Sequence, residues 1–150
     1  MLVRLYLYTD VKSRYKGKPI KHMKFKIDTK EKFTVITPMS EELSDNLTAE
    51  LTQTATSFLQ KDIRNIVVNL KNVFSISEPA AAQIVKLEQT FQENNASFVI
   101  CEMQSGVEEL LEHFGVGLRN ITRTESEAWD IVQMEEIERE LINGFNDEET

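Results

Sequence analysis

The sequence contains few of the residues from which metal sites and catalytic sites are built. It has one cysteine, Cys101, and two histidines, His22 and His113, among 150 residues. A single cysteine cannot form an internal disulfide, and Cys101 lies in an apolar run, which is typical of a small buried side chain in a reducing compartment. Neither histidine has a cysteine or a paired acid at metal-ligand spacing. We therefore expect no metal site and no cofactor.

Glycine-rich loops and long apolar runs are also missing. The chain has five glycines, and Gly115-Val116-Gly117 follows a helical pattern, so it predicts the end of a helix and not a phosphate-binding loop. No run reaches the roughly 18 apolar residues of a membrane-spanning helix, and residues 1–10 lack the features of a signal peptide. We expect a cytoplasmic protein without membrane insertion. No nucleophile, base and orienting group can be named together, which argues against an enzyme.

Charge is divided unevenly along the chain. Residues 1–22 contain six basic residues and one acidic residue, a net charge of +5, whereas the whole chain carries −8. From Glu125 onward there are ten acidic residues and one basic residue, Arg139. This acidic end repels the phosphate backbone that supplies most sequence-independent affinity for nucleic acids, so we expect no nucleic-acid partner. It also lacks the alternating oxygen ligands and central glycine of a calcium loop.

Apolar periodicity predicts strands that alternate with helices. Met23, Phe25 and Ile27 alternate with polar residues, and an apolar pattern resumes at Phe33 after a short polar connection, which predicts a β-hairpin. The later strands are predicted at Ile63–Leu70, Phe98–Cys101 and Asn120–Thr122. Alternation of strands and helices implies right-handed crossovers and an α/β fold with a largely parallel sheet of about four or five strands and about four helices. Leu2 to Tyr8 has the pattern of an extra strand.

The helix starts are marked by capping residues. The first helix is predicted to begin with Ser44 or Asp45 as its N-cap, and the second around Ser77 to Pro79. The third is predicted to begin at Val107 and the last near Thr124. Thr124 and Glu127 have the spacing of a capping box, and Asn143-Gly144 is predicted to end the last helix.

The connection from Val73 to Ala80 joins a buried strand to a helix N-terminus. Unpaired N–H groups and the helix dipole favour negative charge at such a position. Ser77 is placed to cap the helix, and Glu78 to contribute an acid to its first turn. Two interpretations are open: these residues serve only the helix start, or they form an exposed recognition surface.

The order of elements and four stretches of sequence resemble the STAS domain, the fold of bacterial anti-sigma factor antagonists and of the cytoplasmic tail of sulfate transporters. The stretches are MKFKIDTKEKFTVI, IRNIVVNLKNVFSISEPAAAQIVKL, VEELLEHFGVGL and TESEAWDIV. The resemblance runs from Met23 to about Ile142 and implies a mixed, largely parallel sheet with an N-terminal antiparallel hairpin. It divides the chain into a basic extension at 1–22, a STAS-like domain at 23–145 and an acidic tail at 146–150.

The resemblance implies protein binding that is regulated by phosphorylation. In the antagonists, an aspartate followed by a serine presents a hydroxyl at this loop to a partner kinase that is also the anti-sigma factor, and phosphate there prevents binding. The matching stretch here is Ser77-Glu78-Pro79-Ala80, so Glu78 occupies the phosphoacceptor position. We therefore expect a module that binds a protein partner without the usual serine phosphoswitch. The residues expected to contact the partner are Ser75, Ser77, Glu78, Pro79, Ala80 and Ala82. Ser77 and Ser75 are the candidates for phosphorylation that remain.

Two other functions stay open at the level of sequence. STAS domains also occur as accessory subunits of lipid-transport ABC assemblies and in stress-signalling complexes. A nucleotide or small anion bound at the Ser77 helix start is the third interpretation. For the extension at 1–22 we predict that Met23 is the biological start of the protein, because the first strand of the resemblance begins there and the charge changes sign there. The alternative is that the extension is a genuine arm, for an acidic partner or for the acidic end of the same chain.

Overall fold

The computed structural model describes residues 3–8 and 23–149, and within them six strands form one mixed sheet. The strands are β1 (Val3–Tyr8), β2 (Met23–Thr29), β3 (Phe33–Pro38), β5 (Asn65–Asn69), β7 (Phe98–Cys101) and β8 (Ile121–Thr122), in the order β1-β2-β3-β5-β7-β8. A separate pair consists of β4 (Glu42–Leu43) and β6 (Ser75–Ile76). The helices are α1 (Asp45–Ser57), α2 (Glu78–Glu93), α3 (Ser105–Phe114) and α4 (Glu125–Glu149).

The sheet has an antiparallel part and a parallel part. Strands β2 and β3 form the expected hairpin, with Phe25 opposite Pro38, and β1 pairs antiparallel with the outer edge of β2. The pairs β3-β5, β5-β7 and β7-β8 are parallel. These pairings confirm the α/β class, the largely parallel sheet and the N-terminal hairpin. Residues 9–22, which contain most of the predicted basic extension, lie outside the described residues.

The larger core lies on the face of the sheet that α1 and α2 cover. Leu51, Leu87 and Phe91 of these helices have at most 1% of their surface exposed, and they belong to one apolar cluster with Ile66 and Ile100 of the sheet. Serine caps set both helix starts. The Ser44 hydroxyl oxygen accepts a hydrogen bond from Leu47 N–H, and the Ser77 hydroxyl oxygen accepts one from Ala80 N–H. The predicted caps are therefore confirmed.

The opposite face is covered by α4. Val67 and Val99 of the sheet pack against Ala128 and Val132 of this helix, and all four side chains are fully buried. Because alternate residues of a strand point to opposite faces, the continuous apolar runs of β5 and β7 follow from having a helix layer on each side.

Polar contacts also fix α4 to the sheet. The Asn69 side chain at the carboxyl end of β5 donates to the Glu125 carboxylate at 3.0 Å, and Asn65 at the other end of β5 donates to Glu136 at 2.7 Å. Arg139 donates to the hydroxyl of Ser97 at 3.2 Å. These contacts show that α4 runs antiparallel to β5, with its start at the carboxyl ends of the parallel strands.

The predicted end of α3 and the predicted start and end of α4 can be compared with the structure. Gly115 ends α3 in the left-handed conformation, with φ of 70°, as predicted. The capping box of α4 is confirmed, since Thr124 and Glu127 exchange hydrogen bonds of 3.1 Å. The predicted end at Asn143-Gly144 is wrong, because α4 continues to Glu149. A lone glycine costs a helix only about 1 kcal/mol, and no proline follows it here to force a break.

Candidate functional site

The loop between β5 and α2 lies at the carboxyl ends of the parallel strands. It is fixed to the chain that precedes α1: the backbone N–H groups of Phe74 and Ser75 donate to the carbonyl oxygen of Glu41 at 2.7 and 3.1 Å, and Ser77 N–H donates to the Leu43 carbonyl at 3.4 Å. The short parallel pair of β4 and β6 results from this attachment. Carboxyl ends of strands are where α/β folds place their functional loops.

Two helix N-termini meet beside this loop. The Ser77 hydroxyl accepts a hydrogen bond from Ala80 N–H at 3.2 Å and donates its own proton to the Asp45 carboxylate in the first turn of α1. The Gln83 side chain adds a hydrogen bond of 3.4 Å to the Asp45 carbonyl. Ser77 therefore links the starts of α1 and α2, and its hydroxyl is used both as donor and as acceptor.

The predicted contact residues differ in exposure. Glu78, Pro79 and Ala82 are exposed, whereas the residues Ser75 and Ser77 are half-buried. Ala80 is fully buried within the larger core, so its side chain offers nothing to a partner.

Two exposed apolar side chains beside the loop were not singled out by the sequence. Phe74 has 56% of its surface exposed and Met39 has 42%. The Asn72 amide donates to the Met39 sulfur at 3.6 Å, which places Met39 beside the loop. No alternation signal marks this position, because the buried residues Val73 and Ile76 lie three positions apart, with Phe74 exposed and Ser75 half-buried between them. Strand β6 has only two residues, which is too few for a periodic pattern to predict that Phe74 is exposed.

Acidic residues lie on the segments that carry or adjoin these apolar side chains. Glu41, Glu42, Asp45 and Glu78 are all exposed on the segments that lead into α1 and α2. Asp45 and Glu78 stand in the first turns of their helices, where they already supply the negative charge that a helix dipole favours. An added anion would therefore meet two carboxylates at this position.

The described residues contain little that could carry chemistry. Burial raises the pKa of the Cys101 thiol to about 12, and the nearby carboxylates of Glu125 and Glu102 add to this effect. A thiol with such a pKa is not a nucleophile near neutral pH.

Among residues 3–8 and 23–149 no group of three or more metal-ligating side chains is gathered around a common point. In the same residues, no helix combines the length and apolar character needed to cross a membrane.

The family model for the STAS domain matches residues 24–128, which is more than half of the chain. The chain belongs to the STAS domain family. The resemblance stated from the sequence is thereby confirmed. Comparison with curated protein sequences gives no match.

Solved structures show the same fold. A Thermotoga maritima protein described as a putative anti-sigma factor antagonist matches with a TM-score of 0.64 and 22% identity, over 73% of this chain and 94% of its own. The anti-sigma factor antagonist SpoIIAA in its unphosphorylated form matches with a TM-score of 0.59 and 16% identity, over 73% of this chain and 96% of its own. The murine anion transporter Slc26a9 matches with a TM-score of 0.59 and 12% identity, over 89% of this chain but 22% of its own.

Proposed function

We propose that this STAS domain is a non-catalytic interaction module of the anti-sigma factor antagonist kind, which binds a regulatory protein without the usual serine phosphoswitch. The contact region, called here the loop surface, consists of Met39, Phe74, Ser75, Ser77, Glu78, Pro79 and Ala82. The observation that carries the proposal is the exposed side chain of Phe74 on a loop whose backbone is fixed by hydrogen bonds. The family and the likeness to antagonists support it.

The fixed backbone of the loop favours binding, because the loop is already ordered before a partner binds. Hydrogen bonds from the loop to Glu41 and Leu43 hold it before any partner arrives, and Pro79 restricts the first turn of α2. Binding surfaces that are ordered beforehand lose less conformational entropy in the complex. The loop surface therefore has the rigidity expected of a docking site.

Phe74 and its acidic surroundings indicate the chemistry of the partner. Aromatic side chains at the centre of an interface provide much of the binding energy, while the charged rim contributes orientation and association rate. An apolar pocket for Phe74, bordered by lysine or arginine opposite Glu42 and Glu78, is the complementary surface.

The contacts of Ser77 support the absence of a phosphoswitch at that residue. A phosphate on Ser77 would replace the proton that its hydroxyl donates to Asp45, and would place about two negative charges against that carboxylate. Ser75 is half-buried in β6, with its backbone held by Glu41. Glu78, in the acceptor position of the family pattern, is exposed and supplies one negative charge of its own.

The other two functions are less well supported. A nucleotide or anion sensor at the start of α2 is opposed by the carboxylates of Asp45 and Glu78. An accessory subunit of a lipid-transport ABC or stress-signalling assembly would use the same surface with a different protein. Genes for sigma regulators beside this one would favour the antagonist function, and genes for permease and ATPase subunits would favour the alternative.

The test is a binding measurement by calorimetry with the histidine-kinase-like anti-sigma proteins encoded in the same genome. We expect F74A to weaken binding by roughly thirtyfold and E78K by roughly tenfold, because one removes the apolar anchor and the other reverses a rim charge. The matched control is E93K, which makes the same charge change at the far end of α2. Equal affinity for all four proteins would remove the loop from the interface.

The phosphoswitch is tested separately by incubating the domain with the binding partner and ATP, followed by peptide mass analysis. We expect no phosphate on Ser75 or Ser77. Phosphate on either residue, accompanied by loss of binding, would contradict this part of the proposal and leave the docking surface intact.

A further inference from the structure

The outer face of α4 carries an apolar stripe that no described residue covers. Met134, Ile137 and Leu141 have 59%, 56% and 62% of their surface exposed. Their spacing of three and four residues places them on one side of the helix. We call these three residues the outer stripe. Exposed apolar side chains are ordinary when scattered, but a row along one helix face is typical of an interaction site.

The outer stripe faces away from the sheet. At 3.6 residues per turn, Ile137 lies roughly 160° around the helix from Arg139, and Arg139 points to the sheet, where it donates to Ser97 and Asn65. Val132, on the same inner side, is fully buried against the sheet. The helix thus has one face that packs on its own domain and an opposite face with apolar side chains and no packing partner among the described residues.

The charges beside the outer stripe are negative. Glu138 and Glu140 are exposed on either side of it. From Glu125 onward Arg139 is the single basic residue, and its guanidinium is directed to the sheet. Two copies of this face placed together would bring glutamates against glutamates, which is unfavourable. Charge complementarity therefore selects a basic occupant.

The basic segment 9–22 of the same chain is too short to extend along the whole outer stripe, because Leu141 is beyond its reach. It connects Tyr8 to Met23, which pair at the end of the sheet where α4 begins. Leu141 lies about 24 Å further along α4 than Glu125, and the helix contacts strands about 14 Å to the side of β2. Because both ends of this 14-residue segment are fixed at the paired residues Tyr8 and Met23, its middle reaches at most about 24 Å from them.

We propose that the outer stripe of α4 is a docking site for an amphipathic helix of another protein, with an apolar face bordered by lysine and arginine. The site lies at the opposite end of the domain from the loop surface, so it does not depend on the proposed function. The interaction is the pairing of two helices along an apolar seam, with charges on its flanks setting the choice of partner.

The test uses the full chain and two synthetic helical peptides with the same leucine seam, one flanked by lysine and the other by glutamate. Binding is measured by fluorescence anisotropy. We expect the lysine peptide to bind at least roughly tenfold more tightly than the glutamate peptide. The triple variant M134Q/I137Q/L141Q has an unchanged net charge, and we expect it to bind the lysine peptide at least roughly tenfold more weakly than the wild type does.

The controls separate docking from general attraction to an acidic protein. I121Q makes the same kind of change at an exposed apolar residue of β8, outside both proposed surfaces, and should leave binding of the lysine peptide unchanged. Circular dichroism should show an unchanged helix content in both variants. Equal binding of the lysine peptide to wild type and triple variant would overturn the proposal. A dimer found by sedimentation equilibrium that dissociates in the triple variant would also overturn it, since the occupant would then be a second copy.

Discussion

The two faces of the sheet are held by different kinds of interaction. On one face, α1 and α2 bury large side chains such as Leu51 and Phe91 in a continuous apolar cluster. On the other face, the fully buried side chains that α4 itself contributes, Ala128 and Val132, are small, and the amides of Asn65 and Asn69 hold the helix at both ends of β5. The first face is fixed by close packing over a broad area, and the second by a narrow apolar strip with polar contacts at its ends.

This difference indicates which parts of the domain the fold needs and which it leaves available. Helices α1 and α2 bury their apolar residues in the larger core, and the start of α2 carries exposed residues of the loop surface. Helix α4 uses one side for the fold and keeps an apolar row on the other. Residues that fix the fold and residues proposed to bind partners are thus separated even within one helix.

The largest expected effect on the free energy of unfolding comes from replacing one buried phenylalanine on each face of the sheet by alanine. Phe91 is fully buried and packs against Phe98 with ring centres 5.5 Å apart, so F91A should lower the free energy of unfolding by about 3–5 kcal/mol. Phe33 lies beside an open groove with Trp129, where the surroundings can relax, so F33A should cost about 2–3 kcal/mol. Urea denaturation measures both. A larger loss for F33A would reverse the comparison.

A smaller effect is expected at the polar contacts of α4. The Asn65 side chain is buried, accepts from Ser97 N–H at 2.8 Å and donates to Glu136 at 2.7 Å. N65A leaves a buried N–H without its partner, so we expect a loss of about 2 kcal/mol in the free energy of unfolding. The control E136Q keeps an acceptor for the Asn65 amide and should cost less than about 1 kcal/mol. Equal losses would show that charge on Glu136, and not the amide, holds the helix.

The smallest expected effect is a pH dependence that arises between the sheet and α4. The pKa of Cys101 is raised from 9.0 to about 12 by burial, so between these values the unfolded chain binds fewer protons than the folded protein. The free energy of unfolding therefore falls as pH rises above about 9, by at most about 1.4 kcal/mol per pH unit. Denaturation at pH 8 and pH 10 measures this fall. C101A should lack it, and an identical fall in C101A would assign the effect to other groups.

Local patterns in the sequence were sufficient for most of the fold. The serine caps of α1 and α2, the capping box of α4 and the buried runs of β5 and β7 each depend on residues a few positions apart, so they were readable before the structure. The strands β4 and β6 were not predicted, since each has two residues and exists only through pairing across more than thirty positions. The end of α4 is not where Asn143-Gly144 predicts it, because a glycine inside an exposed helix costs only about 1 kcal/mol and does not force the helix to end.

The candidate site was predicted in position but not in detail. Ser77 and Glu78 could be located from the helix start, because capping and first-turn acids are local signals. The hydrogen bond from Ser77 to Asp45 joins residues from different helices, and no local pattern predicts it. The exposure of Phe74 and the burial of Ala80 also depend on how distant segments pack, which is why the composition of the loop surface needed the structure.

The direction of α4 has a consequence for assemblies that contain this domain. The helix starts level with the loop surface and, with 25 residues, ends about 37 Å away. A protein on the loop surface and another on the outer stripe, which lies about 14–24 Å along the helix from its start, would be held by the same rigid body. A domain of this size would then act as a spacer that sets the distance between its neighbours, and each neighbour could exchange while the other stayed in place.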